Sequence, residues 1–267
     1  MDSNPPVSTP AAVPSAPTQR HFLWLHAGML IRLRFRGACL GLAWNILQPA
    51  LYLVLFGFVF AALNRASYRE YVVYLFAGLV PWRFFEQACH AMTTSVAASE
   101  VITRGFRVPY YYFPASELCA QFVDFLASFL VLLALLALFR MPLHATVAVL
   151  PLSILLWALI AGGAGLCLSV LFVFLRDIRP LVQMMLLLAL FSSTVFFKPE
   201  TMGGQTRAWW LLLNPVCYWA ALFQRPLYYG TWPQPLDWLV SLGSGFALLA
   251  LGIGLYAALR RKFYYYF

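Results

Sequence analysis

Long apolar runs without charge, separated by short basic clusters, constrain this chain most strongly. Residues 37–64 carry no charged side chain, and neither do residues 141–175. A helix needs about 20 apolar residues to cross a bilayer. Of the 267 residues, 63% are hydrophobic and 10% are charged, whereas a soluble domain has about 25% charged residues. A water-soluble fold with this composition could not cover its surface with polar groups, so the sequence predicts an integral membrane protein.

The apolar runs predict an all-α fold with about six transmembrane helices. Their expected positions are residues 44–63, 71–91, 118–139, 146–174, 180–197 and 238–259. Basic residues concentrate on the cytoplasmic side of membrane proteins. With the N-terminus inside, eleven lysines and arginines fall in inside segments and six in outside segments, and Arg83 lies within a span. This asymmetry predicts a multi-pass protein with both termini in the cytoplasm.

Three segments outside the spans have distinctive compositions. Residues 1–19 hold five prolines and one charged side chain, which predicts a disordered tail because such a segment cannot bury a core. Residues 20–40 mix aromatic and basic side chains and predict a helix lying along the membrane interface. Residues 198–237 are rich in Trp, Tyr and Pro, so short re-entrant or interfacial helices are expected there between the fifth and sixth spans.

Several kinds of site are excluded by the sequence pattern. The net charge of +9 comes from clusters between apolar runs, which indicates membrane topology and no nucleic-acid face. The five cysteines form no CxxC pair, so neither a zinc site nor a redox motif is expected. There is no GxxxxGK[ST] phosphate loop, no HExxH and no GxSxG. The sequence therefore shows no means of hydrolysing ATP, and we expect this chain to bind no cofactor or metal itself.

Charged residues within spans are costly and are functional candidates by default. Arg83 and Glu86 are three residues apart and can pair on one helix face, either as a structural pair or in the lining of a polar pathway. Asp124 lies inside the third span and is expected to contact a partner helix or an arginine such as Arg34 or Arg36. Arg176 and Asp177 end the fourth span, where they act at least as topology anchors.

Five strings in order along residues 20–262 resemble one known family. They are RFRGACLGLAWNILQPAL at 34–51, YLFAGLVPWRFFE at 74–86, ITRGFRVPYYYFPASELCAQFVDF at 102–125, VFLRDIRPLVQMMLLLALFSSTVFF at 173–197 and LLLNPVCYWAALFQRPLYYG at 211–230. The family is that of the type-2 ABC exporter permeases, which move O-antigen, capsule or teichoic acid chains. One departure is Ser193-Thr194-Val195, where the family usually has Ser-Pro-Val. The helix break that the resemblance implies there therefore lacks its proline, and Pro199 could shift the break a turn later.

The resemblance implies a function and a set of partners. Residues 20–267 would form an ABC-2 type transmembrane domain in the bacterial inner membrane, which makes the chain a transporter permease subunit and not an enzyme. Two copies would form a homodimer on two separate ATPase subunits, which bind the ATP and Mg²⁺. The cargo would be a polysaccharide or a lipid-linked glycan.

Site residues follow from the resemblance together with side-chain chemistry. Glu100, Arg104, Phe106 and Arg107 are expected to dock on the ATPase. Arg34 and Arg36 are expected to meet a carrier pyrophosphate or lipid headgroups, since guanidinium binds phosphate in a bidentate manner. Arg83, Glu86, Asp124, Arg176, Asp177, Asn214 and Pro215 are candidates for structural or gating roles. Aromatic rings suited to a glycan pathway, or to the membrane interface, are those of Tyr52, Phe56, Trp82, Trp209, Trp210 and Tyr218.

Two alternatives remain open from the residues. An ABC-2 exporter of drugs or lipids would share the fold and differ in the width of its pathway. A membrane-embedded glycosyl or acyl transferase would need convergent acids or histidines near one face. The four histidines, at positions 21, 26, 90 and 144, are scattered over both sides of the predicted topology.

Overall fold

The computed structural model describes residues 16–35, 68–99, 108–141, 144–199, 213–260 and 262–263, with Leu51 and Phe58 as isolated positions. Within these ranges the chain forms helices and no β-strand, so the all-α prediction is confirmed for the described part. The helices are α1 (Ala16–Phe35), α2 (Tyr68–Ala98), α3 (Tyr112–Leu138), α4 (Leu150–Phe174), α5 (Ile178–Phe191), α6 (Pro215–Gln224) and α7 (Pro235–Leu259). A 3₁₀ turn at Ala145–Val149 precedes α4, and a π-helix at Arg225–Tyr229 continues α6.

Three of these helical stretches are long and apolar enough to cross a membrane. They are Tyr112–Leu138, Ala145–Phe174 and Pro235–Leu259. They agree with the third, fourth and sixth predicted spans to within six residues at each end. Helix α2 covers the second predicted span, and the first span, at 44–63, lies outside the described residues. The location of the chain in a membrane is therefore supported, while the total of six spans stays a prediction.

Helix α5 is shorter than the sequence predicted. It ends at Phe191 and not near residue 197, and its 14 residues span about 21 Å at helical rise. Ser193 accounts for the break, because its hydroxyl donates to the carbonyl of Leu190 at 2.6 Å and accepts from the amide of Val195 at 3.2 Å. Serine side chains compete with the backbone in this way. The helix therefore ends next to the position of the family's proline, although this chain has Ser193-Thr194-Val195 there.

Helix α2 lies at the centre of the core. Every residue from 71 to 77 is buried, and α2 packs against α3, α4 and α6. The indole of Trp157 on α4 donates to the carbonyl of Pro81 within α2 at 2.7 Å. This contact joins the two most buried helices in mid-span.

Close glycine packing joins α4 to α7. A Cβ added at Gly163 would lie 2.6 Å from the backbone nitrogen of Leu249, and one at Gly252 would lie 3.1 Å from the carbonyl oxygen of Gly163. Small residues let helix backbones approach in this way. The glycine-rich run at 161–165 and Gly252 therefore serve helix packing.

Helix α1 packs on the start of α3. Phe22 stacks on His26 with ring centroids 5.5 Å apart, and both rings meet Phe113 edge to face. The opposite face leaves Trp24, Leu25, Met29 and Leu33 exposed, which suits the predicted interfacial helix. Helix α1 begins at Ala16, and the disordered tail at residues 1–19 stays a prediction, because residues 1–15 lie outside the described part.

Candidate functional site at the short helices

Helix α6 continues into a π-helix at Arg225–Tyr229. It ends at Gly230 with a positive φ of 63°. A side chain at Gly230 would collide with the ring of His144, since an added Cβ would come within 2.3 Å of it. The amide of Thr231 donates back to the carbonyl of Arg225 at 3.1 Å. Single-turn π-helices are rare in proteins, and those that occur often lie at functional sites. This turn is therefore a candidate functional site.

An ion pair links the π-helix to the start of α7. Nε of Arg225 lies 2.7 Å from Oδ2 of Asp237, whose side chain is 3% exposed. The same oxygen accepts the backbone amide of Gln234 at 2.7 Å, so Asp237 also caps the first turn of α7. A buried carboxylate needs such partners, because an unpaired buried charge is strongly destabilising.

The turn after α5 forms a second wall of the site. The carbonyl of Thr194 accepts from the amide of Gln224 at 3.1 Å and from the hydroxyl of Tyr74. The hydroxyl of Tyr71 donates to the carbonyl of Phe196 at 2.6 Å. The broken end of α5 is thereby fixed against α2 and α6.

A cavity of about 580 Å³ lies between these elements. Its described lining combines charged, amide, hydroxyl and aromatic side chains: Thr194, Pro199, Cys217, Tyr218, Ala221, Gln224, Arg225, Tyr229, Thr231, Gln234 and Asp237. Ligand pockets typically enclose about 300–1,000 Å³. The cavity therefore has the size of a small-molecule site and an unusually polar lining for so apolar a chain.

Asn214 and Pro215, predicted as structural, start helix α6. The side chain of Asn214 accepts from the amide of Val216 at 3.0 Å, as an N-cap does, and Pro215 occupies the first turn. The amide nitrogen of Asn214 donates to the carbonyl of Ser192 at 2.7 Å. Tyr218, predicted for the glycan pathway, lines the cavity one turn further along α6.

A cationic aromatic cluster lies beside the cavity. The amino group of Lys198 donates to the hydroxyl of Tyr228 and lies 4.6 Å from the centre of its ring. It also lies 5.6 Å from the ring centre of Tyr74. These contacts offset the cost of placing an ammonium group next to apolar helices.

The charged residues predicted within or beside spans lie away from the cavity. Arg83 and Glu86 form an ion pair of 3.4 Å on α2, with about a quarter of each side chain exposed. Asp124 is half-buried on α3, and Arg176 and Asp177 are exposed at the junction of α4 and α5. The structure does not bring these residues together at one site.

Trp82, predicted for the glycan pathway, lies in the protein core. It is 1% exposed and packs against Phe85 with ring centroids 5.5 Å apart. Phe85 in turn meets the indoles of Trp157 and Trp219. In this structure Trp82 therefore packs the described helices together, and its place in a glycan pathway stays a prediction.

Most of the other predicted site residues cannot be placed. Those outside the described residues or side chains are Arg34, Arg36, Tyr52, Phe56, Glu100, Arg104, Phe106, Arg107, Trp209 and Trp210. Sequence reasoning in turn missed Gln224, Arg225 and Asp237. A signal was available, because Arg225 and Asp237 are opposite charges at the edges of apolar segments, but the arginine was counted only for topology.

The end of the bundle opposite the cavity is aromatic. Burial lowers the pKa of His26, whose ring lies between Phe22 and Phe113. A hydrogen bond with Tyr112, assisted by burial, raises the pKa of Tyr111 to about 12. Among the described residues no group of His, Cys, Asp and Glu could hold a metal ion.

Comparison with known proteins assigns the chain to a family. The model of the family described as ABC-2 type transporter matches residues 23–228. This chain belongs to the ABC-2 type transporter family. The match covers most of α1, all of α2 to α6, most of the π-helix and part of the cavity lining, so the site described above lies largely inside the family domain.

Three relatives of this ABC-2 transporter chain share one description. An O-antigen export system permease protein RfbA of Klebsiella pneumoniae is 24% identical over 200 residues, covering 73% of this chain and 77% of that protein. A second from Klebsiella pneumoniae is 22% identical over 87% of this chain and 90% of its own length. One from Myxococcus xanthus is 23% identical over 90% and 96%. The suspected family is confirmed, and the chain is a membrane subunit of transporter type.

Proposed function

We propose that this chain is the transmembrane subunit of an ABC exporter that moves a polysaccharide or lipid-linked glycan across the bacterial inner membrane. The observation that carries the proposal is the near full-length match to O-antigen export permeases, which reaches 90% of this chain and 96% of the relative. The three apolar helices of membrane-spanning length are consistent with it.

The energy for export would come from a separate subunit. This chain has no phosphate loop, so ATP and Mg²⁺ would be bound by an ATPase, in two copies below a homodimer of permeases. The loop at 99–114 would carry ATPase closure to α2 and α3, which it connects. Glu100, Arg104, Phe106 and Arg107 are the proposed contacts, and this assignment rests on the sequence alone.

Orientation follows from the same proposal. With both termini in the cytoplasm, the cavity at the short helices lies at the outer face, where α2, α4 and α7 begin and α3 and α5 end. Arg176, Asp177 and the end of α7 then lie at the inner face, next to the proposed ATPase and the anionic headgroups that attract basic residues.

Complementation tests the function directly. A bacterial strain that lacks its own O-antigen permease is given this chain together with the ATPase that co-purifies with it, and surface glycan is measured by gel electrophoresis of cell-wall extracts. We expect long-chain glycan at the surface, which a catalytically inactive ATPase abolishes. Intracellular accumulation of glycan with the active pair would contradict the proposal.

Co-purification separates the remaining alternatives. The proposal predicts that the tagged chain recovers an ATPase at one-to-one stoichiometry. A drug or lipid exporter would recover an ATPase but leave surface glycan unchanged. A chain that purifies without an ATPase and transfers glycosyl or acyl groups would be the membrane-embedded transferase, and the exporter assignment would be withdrawn.

A further inference from the structure

Two charged groups in the cavity at the short helices have unused hydrogen-bonding capacity. Asp237 accepts the amide of Gln234 and faces Arg225 through the same oxygen, Oδ2, and among the described residues we find no hydrogen bond to Oδ1. Nε of Arg225 lies 2.7 Å from Oδ2 but is not aligned for a hydrogen bond, and we find no hydrogen bond from its two Nη groups to the described residues, although 29% of the side chain is exposed. Guanidinium carries five N–H donors and a carboxylate about four acceptor sites, so this pair can bond further groups while staying paired.

The charge of the described lining is balanced. Arg225 and Asp237 are the charged residues among the described lining side chains, and they offset each other. The remaining polar groups are neutral amides and hydroxyls, on Thr194, Tyr218, Gln224, Thr231 and Gln234. An anion would meet the carboxylate of Asp237 and a cation would meet the guanidinium, so the lining favours a neutral ligand rich in hydroxyl groups.

An aromatic ring completes the lining. Tyr229 is 37% exposed, and its ring is held edge to face by Tyr228 at 4.9 Å and by Tyr74 at 6.2 Å. A fixed aromatic ring offers an apolar surface next to polar groups. The C–H face of a pyranose ring fits such a surface, while its hydroxyl groups point sideways to donors and acceptors.

Resting on the proposed function, we infer that this cavity is a binding site for one or two neutral sugar residues of the exported glycan. Arg225 and Asp237 bond adjacent hydroxyl groups, and Tyr229 packs on the apolar face of the ring. Thr231, at the lip of the cavity, supplies a further hydroxyl contact. The site lies within a single chain, so a homodimer would carry two copies of it.

Binding of simple glycosides to the purified chain tests the inference. The full-length chain in lipid nanodiscs is titrated with methyl α-mannoside, methyl β-glucoside, methyl β-galactoside and the anionic methyl β-glucuronide, and Kd is measured by saturation-transfer NMR. We expect millimolar binding of at least one neutral glycoside and weaker or no binding of the glucuronide. Thr231→Val and Tyr229→Leu should each raise Kd about fivefold, the effect of one lost contact of about 1 kcal/mol.

Matched variants control for folding. Thr94→Val removes a hydroxyl from α2, where it bonds only the carbonyl of Ala91 among the described residues, and it should leave Kd unchanged. Tyr229→Phe keeps the ring and should bind within twofold of wild type. Thr231 and Tyr229 are exposed, so we expect their variants to fold. Elution of every variant at the wild-type volume on size exclusion would show that it has folded.

The outcomes for the cavity and for the exporter are separable. No binding of neutral glycosides to the wild-type chain, preference for the glucuronide, or equal binding by Thr231→Val and Tyr229→Leu would each overturn the cavity assignment, even if cells export glycan. Glycoside binding without any export of glycan would overturn the proposed function, and with it the assignment of the sugar to the exported chain.

Discussion

The amide nitrogen of Asn214 lies 2.7 Å from the carbonyl oxygen of Ser192, so the side chain that caps α6 also bonds the residue that ends α5. One asparagine thereby closes two helix ends across a segment that the structure leaves undescribed at 200–212. The contact fixes the two walls of the cavity relative to each other.

Asn214→Ala should remove both contacts. A lost N-cap costs about 1 kcal/mol and a lost hydrogen bond about another 1 kcal/mol, so we expect the midpoint of thermal unfolding to fall by about 5 °C. Asn214→Ser should recover about half of that loss, because serine caps α6 but is too short to reach Ser192. Intrinsic fluorescence of the purified chain during heating provides the measurement, and equal midpoints for the two variants would contradict the dual role.

Gly163→Ala should separate α4 from α7. The added methyl group would meet the backbone of Leu248 and Leu249 at 2.6–2.9 Å, and backbone atoms cannot move aside as a flexible side chain does. Overpacking of this kind costs about 1–3 kcal/mol. Gly254→Ala on α7 is the matched control, since nothing lies within 4 Å of its added Cβ. We expect a lower yield and unfolding temperature for the first variant alone, and similar values for both would show that the close approach is absent.

Mild acid should loosen α1 from α3. Burial lowers the pKa of His26, and its Nδ1 is buried without a hydrogen-bond partner among the described residues. Because the pKa of His26 is lowered in the folded state, the neutral imidazole stabilises the packing of α1 on α3. This stabilisation is fully present above pH 6.5, the ordinary pKa of histidine. That contribution is lost as the pH falls from 6.5 through the folded-state pKa.

Hydrogen exchange in α1 at pH 5 and pH 7.5 measures this effect, after correction for the intrinsic pH dependence of exchange. We expect extra exchange at pH 5 in the wild-type chain. His26→Phe should remove the difference, because phenylalanine keeps the ring contacts with Phe22 and Phe113 and does not titrate. A difference that persists in this variant would assign the effect to another group.

The positions of the helices were largely predictable from sequence. The bounds of α4 and α7 depend on local composition, since α4, and α7 after Asp237, are apolar stretches that end near basic residues. The break after Phe191 was not predictable from hydropathy, because it depends on the hydroxyl of Ser193 bonding its own backbone. The cavity was missed for a different reason: Thr194, Arg225 and Asp237 are brought together only by the packing of α5, α6 and α7.

The orientation of the chain can be tested at the cavity itself. In a background with the five native cysteines replaced, Thr231→Cys should react with a membrane-impermeant maleimide on intact cells whose outer membrane is permeabilised. Asp177→Cys should react only after lysis, since the proposed topology places it inside. Both native residues are exposed, so access to the reagent depends on the side of the membrane. The reverse pattern would invert the topology and remove the loop at 99–114 from the cytoplasm.

Charge reversal tests the proposed contact with the ATPase. Arg104→Glu combined with Arg107→Glu should abolish recovery of the ATPase with the tagged chain, because an acidic loop replaces a basic one. Arg140→Glu, an exposed arginine at the other end of α3, should recover the ATPase as wild type does. Full recovery with the double variant would place the docking surface elsewhere on the chain.

The hydroxyls of Tyr71 and Tyr74 donate to backbone carbonyls in the turn that follows α5. Those oxygens have left the helical ladder, and lipid tails offer no donors that could replace a tyrosine. This turn can therefore leave α2 only where water can solvate the freed carbonyls. Separation of this turn from α2 therefore requires water at the contact between them. Without water at this contact, the turn stays bonded to Tyr71 and Tyr74.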